Sequence, residues 1–505
     1  MTNNMKGLNN IKKSLKVIFV FGFLLLGCKK FLSTSPADQY TQENFWKNEE
    51  EVEAGLTGVY EVLRGYSSDL IFQGDKLSPN AVKFDDPGGW RSIARGDALT
   101  TNDLFENAWS SNYRGIGRAN TVLANIDEAN LGEEVANKIK GEAKFLRAFF
   151  YADLLDKFGG VPLITDQPNP SQNDQGRASE DDMLNLILND LSDAASLLPE
   201  DNTPGRVTKG AALAFKARIL LYHNKWKEAA ESAKEVIDMN KYSLFPDYGG
   251  LFKVENENNS EVIWDIEFKL PRFTNNFVDQ ATVHTDPAPL KGLIDDYFMK
   301  DGKPASESPL YDPSNPYKNR DPRLYKTVRL LGSMFNGSTT LPSDVPQTFI
   351  GAKKWTSYND SSHIPPISSG SSEINPIVIR YAGVLLVYAE AENEAVGPVQ
   401  SVYDAINQIR GRPGVNMSQI NPGLTQDEMR QVIRHERRIE LAMEGYYYTD
   451  IRRWGIAKDV MNGPVYDFNG DVYENRSYKV PKNNLWAIPT NEIDLNPKLE
   501  QNPGW

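Results

Sequence analysis

The chain holds a single cysteine, Cys28, in 505 residues. That excludes a disulfide framework and any cysteine-built zinc site, so an exported domain would have to be held together by burial alone. Histidine is also scarce: His223, His284, His363 and His435 are the four, and none is paired with another at metal-ligand spacing. His435-Glu436 begins like a zinc-protease helix, but position 439, where the second histidine belongs, is Ile. There is no G-x-S-x-G elbow and no phosphate loop. Gly115 and Gly117 fall inside a helical pattern, with Asn120 where a third glycine should stand and no strand before them, so a dinucleotide site is excluded too. No cofactor is expected. Positive charge is in deficit, with a net charge of −13, which argues against nucleic acid or anionic lipid headgroups as partners.

Long apolar runs are limited to one, Val17 to Leu26, preceded by Lys6, Lys12, Lys13 and Lys16 with no acid among them. It falls short of the roughly 20 residues a spanning helix needs and reads as a signal peptide over residues 1–27. Leu25-Leu26-Gly27-Cys28 is similar to the bacterial lipobox, which implies cleavage before Cys28 and acylation of its thiol, palmitate included. Loss of the leader lysines takes the net charge to −17. The remaining chain is long enough for a large core in one or two intimately packed domains, touching the membrane only through its anchor.

What is present is mostly helical pattern. Val52, Leu56, Val59, Tyr60 and Leu63 recur at helical spacing behind Asn48, a credible N-cap. Further helices are expected from Trp109 to Ile126, Lys140 to Leu155 and Asp181 to Leu198, and a pair joined at Asn224. In that pair Ala211, Ala214 and Ala217 face Ala229, Ala230 and Ala233, which lets two helices approach closely in the manner of a tetratricopeptide repeat. Tyr381 to Gly397 and Val402 to Arg410 read as another pair. The expected fold is mostly α: a tetratricopeptide-like scaffold of helical pairs, decorated with long loops and a small β or irregular insertion. Its expected parts are 28–260, N-terminal and helical; 261–375, loop-rich; and 376–505, helical with a docked tail.

Two stretches break the helical pattern. Asp69 to Asn107 carries Pro79, Pro87 and Gly88-Gly89, and long structured loops of this kind are usually functional. Asn80, Phe84, Asp85, Trp90 and Arg91 lie in it. From Leu270 to Asn375 the chain is rich in Pro, Gly, Ser and Asn, with more scattered aromatics than a linker carries, among them Phe273, Trp355 and Tyr358. Between the helices and this region, Glu261 to Lys269 alternates as a strand with one apolar face, placing Trp264 in the core.

The densest stretch runs from Arg434 to Gly455. Glu436, Glu440 and Glu444 are four apart and would repel one another unless Arg434, Arg437 and Arg438 interleave with them; Gly445 supplies the stop. An ion-pair lattice along one helix is the expectation. The spelling Glu436-Arg437-Arg438-x-Glu440-Leu441-Ala442-x-Glu444-Gly445, followed by Asp450-Ile451-Arg452-Arg453-Trp454-Gly455, resembles the C-terminal signature of the SusD/RagB family of outer-membrane nutrient-binding lipoproteins. The helix from Lys140 and the tail LWAIPTNEIDLNPKLEQNPGW are similar to the family's corresponding segments, and the resemblance extends from Phe31 to Trp505. Ser33 departs from it, standing where the family commonly has an acid.

The resemblance implies a lipid-anchored protein facing the cell exterior, which captures oligosaccharides and works with a SusC-like TonB-dependent transporter. Sugar rings stack on aromatic side chains, and Asn, Asp and Arg read their hydroxyls, on loops over a rigid scaffold. The expected ligand contacts are therefore Asn80, Trp90, Arg91, Phe273, Trp355 and Tyr358, with Cys28 as the lipid attachment site. Two alternatives stay open: a peptide-binding relative, and a surface glycoside hydrolase, which needs only two carboxylates at suitable separation. No catalytic constellation is spelled out, and the protein is expected not to be an enzyme.

Overall fold

The computed structural model describes residues 45–83, 89–278 and 285–505, with the backbone path alone at 66–70. The leader, Cys28, Phe84, Asp85 and His284 lie outside the described residues. The first helix, α1, spans Glu49–Lys76, with the Asn48 side chain accepting from the Glu51 N–H at 3.1 Å and Glu49, Glu50 and Glu51 in its first turn, where the helix dipole favours acids. It outruns the expected Leu63 because Ile71 and Phe72 are drawn into the core. Gly74 permits this: a Cβ there would lie 1.9 Å from the Gly445 carbonyl oxygen.

Five longer helices follow among the described residues: α2 (Asp103–Asn125), α3 (Glu133–Phe158), α4 (Glu180–Leu197), α5 (Lys209–Tyr222) and α6 (Trp226–Asp238). Asn102, Ser179 and Thr208 cap α2, α4 and α5 through side-chain oxygens, and Asn224 turns the chain between α5 and α6 in the left-handed region, at φ 58°. The C-terminal set is α7 (Tyr381–Val396), α8 (Gln400–Arg410), α9 (Gln426–Glu440) and α10 (Tyr447–Arg453). Successive helices pack on one another from α1 to α6, and α6 packs directly on α7 although residues 239–380 separate them in sequence. The alanines of α5 and α6 are buried at this seam, and the Ser232 hydroxyl donates across it to the Leu213 carbonyl at 2.9 Å.

The excursion between α6 and α7 is built from short strands. Among the described residues the strands of the chain form antiparallel pairs: β1 (Ala81–Val82) with β3 (Ala288–Pro289), β2 (Val262–Asp265) with β8 (Ile377–Arg380), β4 (Val328–Leu330) with β7 (Ile350–Ala352), β5 (Met334–Phe335) with β6 (Ser338–Thr339), and β9 (Gly463–Tyr466) with β10 (Val472–Arg476); β1, β9 and β10 lie outside the excursion. The β2–β8 pair closes the excursion and delivers the chain to α7. The one-faced strand expected over 261–269 is only four residues long, and both of its faces are covered. Consecutive Ile263, Trp264 and Asp265 are all buried, with Trp264 edge-on to Phe145 and Phe149 at 5.0 and 5.3 Å.

The charge lattice differs from the expectation in its partners. Glu436, Glu440 and Glu444 share one face, as their spacing requires, and that face is buried. The α9 arginines point elsewhere: Arg437 pairs with Asp450 at 2.8 Å, Arg438 with Asp296, and Arg434 lies over the Trp454 ring. Cations from facing elements neutralise the glutamates instead. Glu440 meets Arg323, Arg380 and Arg412 at 2.9, 2.8 and 2.7 Å. Glu436 lies between Arg323 at 2.5 Å and Arg410 at 2.8 Å. Glu444 takes both a 2.7 Å contact from Arg380 and a 2.8 Å contact from Lys354. Glu261 completes the set with Arg380 at 2.7 Å and Arg412 at 2.8 Å. The helix ends at Glu440 rather than Gly445, because Met443 turns at φ 62° and Asp75 accepts from the Met443 and Gly445 N–H groups at 3.1 and 2.7 Å.

These contacts set the response to pH. Burial alone would raise Glu436, Glu440 and Glu444, but the arginines outweigh it and hold all three below the usual carboxylate range. Stability from these groups is present above the unfolded value of about 4.3 and is lost as pH falls through their depressed folded values. Burial pushes Asp75 up to about 6 and Asp265 and Glu257 up to about 7. Raised carboxyls act in the opposite sense, stabilising below the unfolded value and losing that contribution as pH rises through 6 to 7. Thermal unfolding followed by circular dichroism is therefore expected to give a midpoint that climbs from pH 8 to about pH 5 and falls below about pH 4. Asp265→Asn should flatten the neutral limb; a profile level from pH 5 to 8 in the native chain contradicts this assignment.

Candidate functional site

Of the six aromatic and polar side chains expected to touch ligand, Phe273 keeps an open ring. A short turn closed by paired backbone hydrogen bonds between Lys269 and Phe273 carries it, and the residue is 42% exposed. The Arg64 guanidinium lies 3.7 Å from the centre of its ring, a cation–π contact that fixes one side of the platform. Arg64 also lines a cavity of about 200 Å³ together with Tyr60, Glu61, Arg206, Asp265 and Glu267. The chemistry is mixed: Arg64 pairs with Glu61 at 3.2 Å, and Arg206 lies over the Tyr60 ring and pairs with Glu142 at 3.1 Å. Asp265 is raised first by burial and then by Glu267, and it accepts from the Asn375 amide at 3.2 Å. An aromatic face beside carboxylates and guanidinium groups offers both stacking and hydroxyl recognition.

Twelve residues beyond Arg64 along α1, about 18 Å at 1.5 Å per residue, Lys76 lies over the Trp90 ring. Here Lys76 and Lys83 reach the Asp286 carboxylate at 3.4 and 2.6 Å, and the other Asp286 oxygen is buried without a hydrogen-bond partner among the described residues. Arg91 leaves a six-residue helix, Trp90–Arg95, to pair with Glu474 at 3.1 Å and lie 5.5 Å from the centre of the Tyr473 ring. Tyr466, on the paired strand β9, is exposed. The two ends make a strip along α1: an open aromatic with a cavity at one end, a charged and aromatic patch at the other.

Four expected contacts are corrected by burial. Trp355 is 0% exposed; its ring stacks 6.0 Å from Phe277, and its indole N–H donates to the Met443 carbonyl at 2.8 Å. Tyr358 is buried against Phe335, its hydroxyl accepting from the Ile367 N–H at 2.9 Å. Asn80 is buried, donating to Asp75 at 2.8 Å and accepting from Arg438 at 3.0 Å. Trp90 is buried beneath the Lys76 ammonium, 5.2 Å from its ring. Asn80 and Trp355 thus hold the turn that follows α9, and Trp90 underlies the patch rather than forming its surface. Arg64, Glu267, Tyr466 and Tyr473 were missed. Nothing local marks them, because the first two meet through a contact between residues about two hundred positions apart in the chain.

Comparison with known proteins places this arrangement among relatives. Residues 251–505 match the SusD family, and residues 30–221 match a family described as starch-binding and associating with the outer membrane. The chain is similar to a SusD-like protein of Formosa agariphila, 28% identical over 95% of this chain and 97% of that one. Among solved structures it is similar to a SusD-like carbohydrate-binding protein of Bacteroides fragilis NCTC 9343, with a TM-score of 0.81 and 28% identity, covering 90% of this chain and 100% of that one. A second SusD-like protein from the same organism gives a TM-score of 0.81 at 26% identity, covering 94% of this chain and 100% of that one.

Proposed function

The chain belongs to the SusD family, and on that premise we propose that it is a glycan-binding lipoprotein of the outer membrane that captures oligosaccharides for a SusC-like TonB-dependent transporter and performs no catalysis itself. The observation that carries the reading is the open Phe273 ring, braced by Arg64 beside the cavity at Asp265 and Glu267. Stacking on such a ring leaves sugar hydroxyls to the flanking carboxylates and guanidinium groups. The carbohydrate-binding relative from Bacteroides fragilis supports the ligand class. Among the described residues no helix is long and apolar enough to cross a membrane, which is consistent with attachment through acylated Cys28.

Calorimetry against a panel of polysaccharides, oligosaccharides and peptides tests the reading. An oligosaccharide should bind, and Phe273→Ala should weaken it about tenfold, or about 1.4 kcal/mol, with unfolding unchanged within about 0.5 kcal/mol because the side chain is on the surface. Binding of peptides alone, or release of sugar products by the purified chain, contradicts it. For the anchor, Cys28→Ala should abolish partitioning with membranes; a variant that still partitions contradicts acylation at that site.

A further inference from the structure

A second concavity, away from the Phe273 cavity, runs between α1 and α2 with a volume of about 650 Å³. Its floor is glycine: Gly55 and Gly58 from α1 and Gly117 from α2. Gly55 is explained by packing, since a Cβ there would lie 2.4 Å from the Trp46 ring. Gly58 is not. A Cβ there would meet nothing within 4 Å, although glycine inside a helix is unfavourable by about 1 kcal/mol relative to alanine. What glycine preserves at this position is open space.

The α2 side of the groove carries Arg114 and Arg118, one turn apart and exposed. Arg118 donates to the Gly58 carbonyl at 2.5 Å and Arg114 to the Ser111 hydroxyl at 3.3 Å, and neither meets a carboxylate among the described residues. Like charges four apart on a helix are mildly unfavourable, and leaving both without acids is notable in a chain of net charge −13. The lining combines Trp46, Tyr113 and the two arginines with glycine, and contains no Lys, Asp or Glu. Trp, Tyr and Arg are the residues that supply most of the strong contacts at protein interfaces, although Ala54 and Ser110 also line the groove.

We propose that this groove docks an extended segment of a partner protein, with carboxylates paired to Arg114 and Arg118 and an apolar side chain seated over Gly58. Charge complementarity selects an acidic segment, and the open space over Gly58, unlike that over Gly55 or Gly117, admits it at close range. A saccharide stacked on the aromatic lining is the competing occupant, and the test separates the two. The proposal does not depend on glycan capture, since the groove shares no lining residue with the cavity at Arg64, Asp265 and Glu267.

The test is fluorescence anisotropy on the purified mature chain with three dye-labelled probes: a short peptide alternating aspartate and leucine, one alternating lysine and leucine, and an oligogalacturonate. The acidic peptide should bind at least about tenfold more tightly than the other two. Gly58→Trp, which fills space that no atom of the described residues occupies, should weaken it about tenfold, as should Arg114→Glu combined with Arg118→Glu. Phe273→Ala should leave it unchanged, and thermal midpoints of all variants should stay close to that of the native chain. Equal binding of the acidic and basic peptides, insensitivity to Gly58→Trp in a folded variant, or preference for the oligogalacturonate each overturns the proposal.

Discussion

Glu440 is sealed from solvent and meets three arginines drawn from three separated parts of the chain, Arg323 from the inserted region, Arg380 from the end of β8 and Arg412 just beyond α8. Around it Glu261, Asp321, Glu436 and Glu444 balance those arginines together with Arg410 and Lys354. Removing charges from water costs several kcal/mol per ion, so such a patch persists only where geometry and hydrogen bonding are nearly complete. Its value lies in what it joins. The excursion from 239 to 380 has only two-residue to four-residue strands of its own, and these charges tie it to the helical stack at a fixed orientation.

The ligand strip depends on that orientation. Asp75 and Asn80 link the end of α1 to the turn after α9, while Trp355 holds the same turn from the inserted region. α1 then carries Arg64 and Lys76 to opposite ends of the strip, where the Phe273 turn and the Asp286 carboxylate meet them. The same helix also supplies Gly55 and Gly58 to the separate groove. One long helix thus positions two surfaces of different chemistry, the first suited to hydroxyl groups and ring faces, the second to carboxylates and apolar side chains.

Much of the helical scaffold was legible in the sequence, because its signals are local. Asn48 caps α1, the paired alanines mark the α5–α6 seam, and Asn224 marks the break between them. The length of α1 was not legible, since beyond Leu63 its helical state rests on Ile71 and Phe72 reaching a core built from distant residues. The site was legible in composition and not in exposure. Trp355 and Phe273 are both aromatics in irregular chain, and the difference between a buried strut and an open platform comes from contacts across the fold. Charge density was also misleading about partners: spacing put three glutamates on one face, but only the tertiary structure decides that the face is buried and that its cations arrive from other elements.

The central claim is that the charged helix end is structural and that ligand is read elsewhere. Denaturant titration of Glu440→Ala, paired with calorimetry of the folded variant against the best oligosaccharide ligand, tests this most directly. Uncovering three buried guanidinium groups should lower the unfolding free energy by about 3–5 kcal/mol, with the affinity of the folded protein changed less than about twofold. A collapse of affinity with the unfolding midpoint unmoved would contradict the account.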